Sequence, residues 1–353
     1  MSYKEGMAAI NLEMPDKVPR TEYSAATHWE LVSKVTGIDV NENSEKELQQ
    51  KASKEFMKAW DYDFIWSILI HNQIFGDKRT KMGHAEYAAG GTDYDTDIKK
   101  LFEDPAKALN FDPIEAYGIP EEKELVQKFE KHYQQNCNFY EDAVNMTGIY
   151  VTLMSGLIEI FGWDMLLECA GRDPEKFGQL TNRYAEMMQP YFEALAQAEA
   201  PVVMVHDDIV WTSGPFISPD WYREYIFPNY KKYFAPLIKQ GKKIMYTSDG
   251  DYTAFVDDIA EAGVDGFVLE PLTDMEYIAE NYGQTHVIIG NADTRVLLQG
   301  TKEDIRAEVK RCMDIGKECP GYFMAVGNHI PANTPVESAL YYNKVYREMS
   351  TRN

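Results

Sequence analysis

Two short apolar runs, Val202-Val203-Met204-Val205 and Lys243-Ile244-Met245-Tyr246, break off abruptly at His206-Asp207-Asp208 and at Thr247-Ser248-Asp249-Gly250-Asp251. A continuous apolar run bounded by polar residues reads as a strand buried on both faces. A helix-sized segment separates the two, so they form a parallel β-α-β unit. The same rhythm recurs on both sides. Before it come a strand at 148–154 and helices at 156–170 and 174–198. After it come a helix at 254–262 closed by Gly263, a strand at 266–269 ending on Glu270, and a helix at 275–282. A strand at 286–289 ends on Gly290-Asn291-Ala292-Asp293. Thr301 with Asp304 has the form of a capping box. The last strand, 321–326, ends on Gly327-Asn328-His329, and a helix over 335–349 closes the chain.

The N-terminal part is less regular. Residues 1–20 read as an irregular arm, Thr21 to Ser24 as a short strand, 25–35 as a helix containing His28, 45–60 as a helix and 63–70 as a buried strand. Residues 71–140 are rich in Tyr, Gly and charge, with little strand signal. They read as an elaborated loop that includes MGHAEYAAGGTDYD, a short helix near 97–102 and a longer one over 121–140. Long aromatic loops in compact domains are commonly functional, and this one fits a lid or a pocket wall. The alternation as a whole predicts an α/β fold: one (β/α)8 barrel spanning residues 1–353, with an N-terminal arm and one elaborated insertion.

Charge narrows the partners. The 57 acidic against 35 basic residues give a net charge of −22, which repels nucleic-acid phosphates and acidic membranes. No stretch is apolar enough to span a membrane and the N-terminus has no secretion signature, so a cytoplasmic protein is expected. Cys137, Cys169, Cys312 and Cys319 match no metal-binding spacing and read as thiols in a reducing compartment.

The C-terminal ends of barrel strands carry active sites. The predicted rim holds Tyr23 and Ser24, His206 with Asp207 and Asp208, Tyr246 with Ser248 and Asp249, Glu270, Asn291 with Asp293, and Asn328 with His329. Imidazoles and carboxylates in that setting suit a metal or acid–base chemistry. Bland alternatives stand beside them. Asp249-Gly250-Asp251 also suits a turn and helix cap, and Asp293 suits a cap. Glu270 is costly to bury unless it has a partner or touches solvent. His28, His71, His84, His132 and His286 read as structural or surface residues, although His28 follows closely on the first strand. Trp66, Trp211, Tyr222 and Tyr252 suit an aromatic substrate, although core packing explains most such residues. No dinucleotide fingerprint, phosphate loop or GxSxG elbow is present.

The runs HDDIVWTSGPFISPDWYREYIFPNYKK, IMYTSDGD, GNADTRVLLQGTKEDIRAEVKRC and GYFMAVGNHIPANTPVES, in this order, resemble the uroporphyrinogen decarboxylase superfamily. The resemblance implies a (β/α)8 barrel and one of two chemistries: decarboxylation of porphyrinogen acetate arms, or cobalamin-linked methyl transfer by zinc enzymes. Porphyrinogen decarboxylases carry an RQAGR motif near the N-terminus. Here that region reads VPRTEYSAATHWEL, and only Arg20 is left to grip a carboxylate. Methylcobamide–thiol methyltransferases hold zinc through His-x-Cys and a later Cys, positions occupied here by Tyr246, Ser248 and Asn328.

An oxygen- and imidazole-rich set replaces those thiolates, which resembles the first methyltransferases of corrinoid-dependent demethylase systems. The resemblance implies a methyl donor such as a methoxylated aromatic, a corrinoid protein as partner and acceptor, and zinc held by His206, Asp249, Glu270 and His329. It implies Asp208, Tyr246 and His329 as catalytic residues. Tyr23, His28, His206, Trp211, Ser248, Asn291 and Asn328 then bind substrate. A metal-independent decarboxylase or lyase of a small acid, and a barrel that binds without catalysis, are the alternatives.

Overall fold

Both apolar runs become parallel strands. Val202–His206 pairs with Lys243–Thr247, Val205 lying opposite Tyr246 and His206 opposite Thr247. Thr147–Ile149 adds along the other edge of Val202–His206 with Ile149 opposite Val205, and Ile70 bridges to Ile149. All five residues of Val202–His206 are buried, as β-branched strands covered on both faces should be. The computed structural model describes residues 1–80, 86–88, 91–93 and 100–352. The MGHAEYAAGGTDYD segment lies largely outside the described residues, as do His84 and residues 97–99 of the helix expected near 97–102, whose residues 100–102 are not helical.

The chain packs as two compact units. This first ladder belongs to the unit formed by Ser67–Gln135 and Met146–Asp265. Its cover includes the amphipathic helix Pro174–Gln197, capped by Asp173, and the helix Phe227–Lys239. The two meet through Phe192 and Tyr233, whose rings stack at 4.1 Å. Between the paired strands the chain forms a small hairpin, Val210–Trp211 against Gly214–Pro215, then a short helix at Pro219–Tyr225. In the elaborated insertion the described helices are Pro105–Ala108, Pro113–Tyr117 and Glu122–Phe139.

The other unit comprises Met1–Trp66, Asn136–Asn145 and Gly266–Asn353. Its strands Gly266–Val268, Val287–Ile289 and Tyr322–Phe323 are parallel neighbours, and Phe64–Ile65 pairs in parallel with Val144–Asn145. Arg20 joins these sets, bridging Tyr62 on one side and Met324 on the other. The strand expected at Thr21 to Ser24 is therefore a single bridging residue one position earlier. The capping box at Thr301 forms as expected and opens the helix Lys302–Gly316.

Two expectations at the N-terminus are corrected. Residues 3–10 form a helix capped by Ser2, not an irregular arm. It buries Gly6, Ala9 and Ile10, and faces built of small residues leave almost no hydrophobic period to read. The helix expected over 25–35 begins at Trp29, because His28 itself is the cap. Among the described residues no helix is long and apolar enough to cross a membrane. Cys169, Cys312 and Cys319 are buried, and burial pushes the Cys312 thiol up to about 12.

Candidate active site

His206 and Asp208 stand two residues apart at a strand end, so alternation gives them one side and Asp207 the other. Asp207 is fully buried. Its Oδ1 accepts the N–H groups of Leu153 (3.1 Å) and Ser155 (2.7 Å), and its Oδ2 accepts the Tyr230 hydroxyl at 2.5 Å. Burial raises its pKa against the pull of those donors. Asp207 thus ties the strand end to the start of the Met154–Arg172 helix.

His206 is 2 % exposed. Its Nδ1 lies 3.0 Å from the Tyr150 carbonyl oxygen, which makes Nδ1 the protonated nitrogen and leaves Nε2 facing Asp208 Oδ1 at 3.3 Å. The Asp208 N–H donates to Ser155 Oγ at 2.7 Å, and Asp208 Oδ1 accepts the Asp249 N–H at 3.0 Å. One ligand atom each from His206, Asp208 and Asp249 lies within 4.8 Å of the others, with the imidazole buried, Asp208 half-buried and Asp249 exposed.

The turn that presents Asp249 is fixed by its neighbours. Ser248 is buried, donates to the Asp249 carbonyl at 3.0 Å and accepts the Ile209 N–H at 3.4 Å. Gly250 has φ +82°, and a Cβ there would stand 2.5 Å from the Trp211 carbonyl oxygen. Glycine is therefore required for the turn to press against the Trp211 hairpin, and the Asp251 N–H completes the contact at 3.0 Å. Trp211 is 42 % exposed and clusters with Trp163 (5.7 Å) and Phe216 (5.6 Å). Trp163 directly follows Gly162, whose φ of +72° breaks its helix.

Tyr246 is fully buried, and its hydroxyl donates to the Asp207 carbonyl at 3.0 Å. Burial, then the Asp207 charge, hold its pKa well above the ordinary phenol. A hydroxyl so engaged braces the strand end and keeps its proton.

The remaining expected site residues belong to the other unit. Tyr23 stacks on Trp66 at 4.5 Å and meets the exposed His329 ring edge-on at 6.1 Å. Asn328 Nδ2 donates to Glu270 Oε1. Asn291 is buried, donating to the carbonyls of Glu270 (3.2 Å) and Thr273 (3.4 Å) while accepting from Arg311 at 2.9 Å. His28 is buried with both ring nitrogens committed: Nδ1 accepts the Leu31 N–H (3.2 Å), and Nε2 donates to the Thr334 carbonyl (2.8 Å). It caps a helix. Asp293 likewise caps the Thr294–Gln299 helix.

A zinc ion suits the His206 set on its donor chemistry. Two ligands of one tetrahedral zinc stand about 3.3 Å apart, and His206 and Asp208 have that separation. The Tyr150 carbonyl on Nδ1 is the outer contact that fixes the tautomer of metal-binding histidines. With these three protein ligands a bound zinc would keep a fourth position for substrate. In the metal-free protein burial disfavours the charged ring, but Asp208 and then Asp249 outweigh it and raise the His206 pKa to about 9. The folded-state value exceeds the unfolded one of about 6.5, so this pairing stabilises fully below pH about 6.5 and is lost as pH rises through about 9. Thermal melts of chelator-treated protein should show that decline, on the order of 3 kcal/mol, and His206→Gln should abolish it.

Residues 140–349, more than half of the chain, match the family model described as Uroporphyrinogen decarboxylase (URO-D). The chain belongs to the uroporphyrinogen decarboxylase family. Curated relatives include the uroporphyrinogen decarboxylases of Carboxydothermus hydrogenoformans, 29 % identical over 59 % of this chain and 59 % of that one, and of Thermus thermophilus, 30 % identical over 49 % and 48 %. The chain thus spans about half to three-fifths of the length of these relatives. A solved methyltransferase from Methanosarcina mazei superposes with a TM-score of 0.64 at 17 % identity, covering 99 % of both chains. The fold class of this family member is the (β/α)8 barrel, as the alternation of elements predicts.

Within the family, Arg20 has an unexpected place. It is fully buried, its Nη2 3.0 Å from Glu22 Oε1 and its Nη1 donating to Asn343 at 2.5 Å. Its guanidinium lies 4.3 Å from the Trp60 ring and 4.9 Å from those of Tyr342 and Tyr346. The one arginine left at the carboxylate-gripping region is a core residue.

Ser155, Tyr150 and Tyr230, which orient the three rim residues, were not among the candidates read from the sequence. A serine at a helix start and a tyrosine after a strand carry no distinctive signal. Only the register brings them to His206.

Proposed function

We propose that this family member is a methyltransferase that moves a methyl group from a small methylated donor, such as a methoxylated aromatic, to the corrinoid of a partner protein. The observation that carries the reading is the convergence of His206, Asp208 and Asp249 at adjacent strand ends, a nitrogen–oxygen set in a family whose thiol-transferring members use thiolates. The full-length likeness to a methyltransferase supports it, and so does the loss of Arg20 to the core, which leaves nothing at that region to grip a porphyrinogen carboxylate.

In this reading His206, Asp208 and Asp249 would hold one zinc. When bound, zinc supplies Lewis acidity to the ether oxygen of the donor, a hard ligand matched to hard donors. The protein's own groups do the rest. Tyr150 and Ser155 orient the imidazole and Asp208. The exposed face of Trp211, with Trp163 and Phe216, offers flat apolar area against an aryl group. Loss of the methyl group to the corrinoid of the partner would break the donor's methyl carbon–oxygen bond and leave a phenolate that takes up a proton from solvent.

Metal analysis tests the site. Purified protein should hold about one zinc per chain, and chelation should abolish transfer until zinc is returned. Protein with no zinc after supplementation, yet releasing carbon dioxide from a small acid, contradicts the reading and supports the decarboxylase alternative.

A further inference from the structure

Three rings share one rung of a parallel ladder. Ile70 bridges Ile149, and Ile149 pairs with Val205. The residues that follow, His71, Tyr150 and His206, therefore come level on three neighbouring segments of the ladder. Their rings stack in that order: Tyr150 on His206 with centroids 3.7 Å apart and planes within 8°, and His71 on Tyr150 at 5.3 Å and 29°. The His71 ring is in turn tethered, its Nε2 3.2 Å from the Ile68 carbonyl.

An imidazole at a strand end has two torsions to fix before its free nitrogen points anywhere reliably. A hydrogen bond to one ring nitrogen sets the direction of the ring and its tautomer. A parallel aromatic neighbour sets its plane. Tyr150 supplies both, the first through its backbone carbonyl at 3.0 Å and the second through its ring. Asp208 alone cannot do this, because it lies on the side that Nε2 must address.

We propose that Tyr150 is the positioning residue that aims His206 Nε2 at Asp208 and Asp249, with His71 bracing the Tyr150 ring. The inference rests on the metal reading above. The Tyr150 ring and its backbone carbonyl make these two contacts, and phenylalanine keeps both. Phenylalanine should therefore replace it, while an aliphatic residue of similar bulk should not.

The test is zinc affinity of the full chain, measured by competition with a chromogenic chelator, for the native protein, Tyr150→Phe, Tyr150→Leu and His71→Leu. Outer contacts to a metal-binding histidine are worth about 10- to 100-fold in affinity. Tyr150→Leu should lose that much, Tyr150→Phe should stay within about threefold of native, and His71→Leu should fall between them. The visible spectrum of the cobalt(II)-substituted proteins reads geometry apart from activity: Tyr150→Phe should match native, and Tyr150→Leu should not. Thermal melts show which variants are folded, and if Tyr150→Leu is not, His71→Leu carries the same comparison. Equal affinity across all folded variants overturns the assignment of Tyr150 and leaves the metal site standing. Equal loss in Tyr150→Phe and Tyr150→Leu also overturns it, since the ring would then not be what matters. A native protein that binds no zinc removes the metal reading, and the positioning role falls with it.

Discussion

Asp208→Asn should lower methyl transfer by at least about 10²-fold, the scale on which a positioned polar group acts at a reacting centre, and should release most of the bound zinc. The same variant should melt close to the native protein. Asp208 is half-buried, and asparagine keeps an oxygen able to accept the Asp249 N–H, so the turn survives. What disappears is the negative charge 3.3 Å from His206 Nε2. In the metal-free variant the His206 pKa should fall from about 9, because Asp208 is the largest influence that raises it. A large loss of stability with normal zinc content would instead show Asp208 to be a structural partner, as Asp207 beside it is.

Arg20→Met should have the opposite signature, unfolding the protein without any special effect on turnover of what remains folded. Removing one partner of a buried ion pair costs about 3–5 kcal/mol, because the other charge stays buried and uncompensated. Here the stranded group is Glu22, which also accepts from Tyr342 at 2.8 Å and from the Val326 N–H at 2.9 Å. Arg20 further bridges two neighbouring chains through its backbone, so the guanidinium anchors the point where the N-terminal segment enters the ladder. Denaturant titration measures the loss. A substrate-gripping arginine predicts the reverse, near-native stability with a collapsed affinity for carboxylates.

The contrast between these residues shows what the amino-acid pattern reveals and what it hides. Val202–His206 and Lys243–Thr247 were legible because strands covered on both faces must be apolar throughout and must end where polar groups are wanted. That rule also brought out His206, Asp208 and Asp249, which meet in the folded chain. It fails where burial is achieved by other means. The helix at residues 3–10 buries Gly6 and Ala9, side chains too small to mark a face. His28, a substrate-binding candidate because it follows a predicted strand, instead accepts the Leu31 N–H and donates to the Thr334 carbonyl. Arg20 is invisible as a core residue, since nothing local announces that Glu22, Asn343 and three aromatic rings will surround it. Tyr150 and His71 reach the site only through strand register, a property of pairings distant in sequence.

Methyl transfer is tested most directly by the corrinoid absorption spectrum. The protein, loaded with zinc, is mixed with cob(I)alamin or a corrinoid protein and a panel of methoxybenzoates, methoxyphenols and methylamines. At least one donor should convert cob(I)alamin to methylcobalamin. The conversion should stop on chelation, return with zinc, and slow by at least about 10²-fold in Asp208→Asn. An unchanged spectrum with every donor, alongside carbon dioxide release from a small carboxylic acid, would contradict the account.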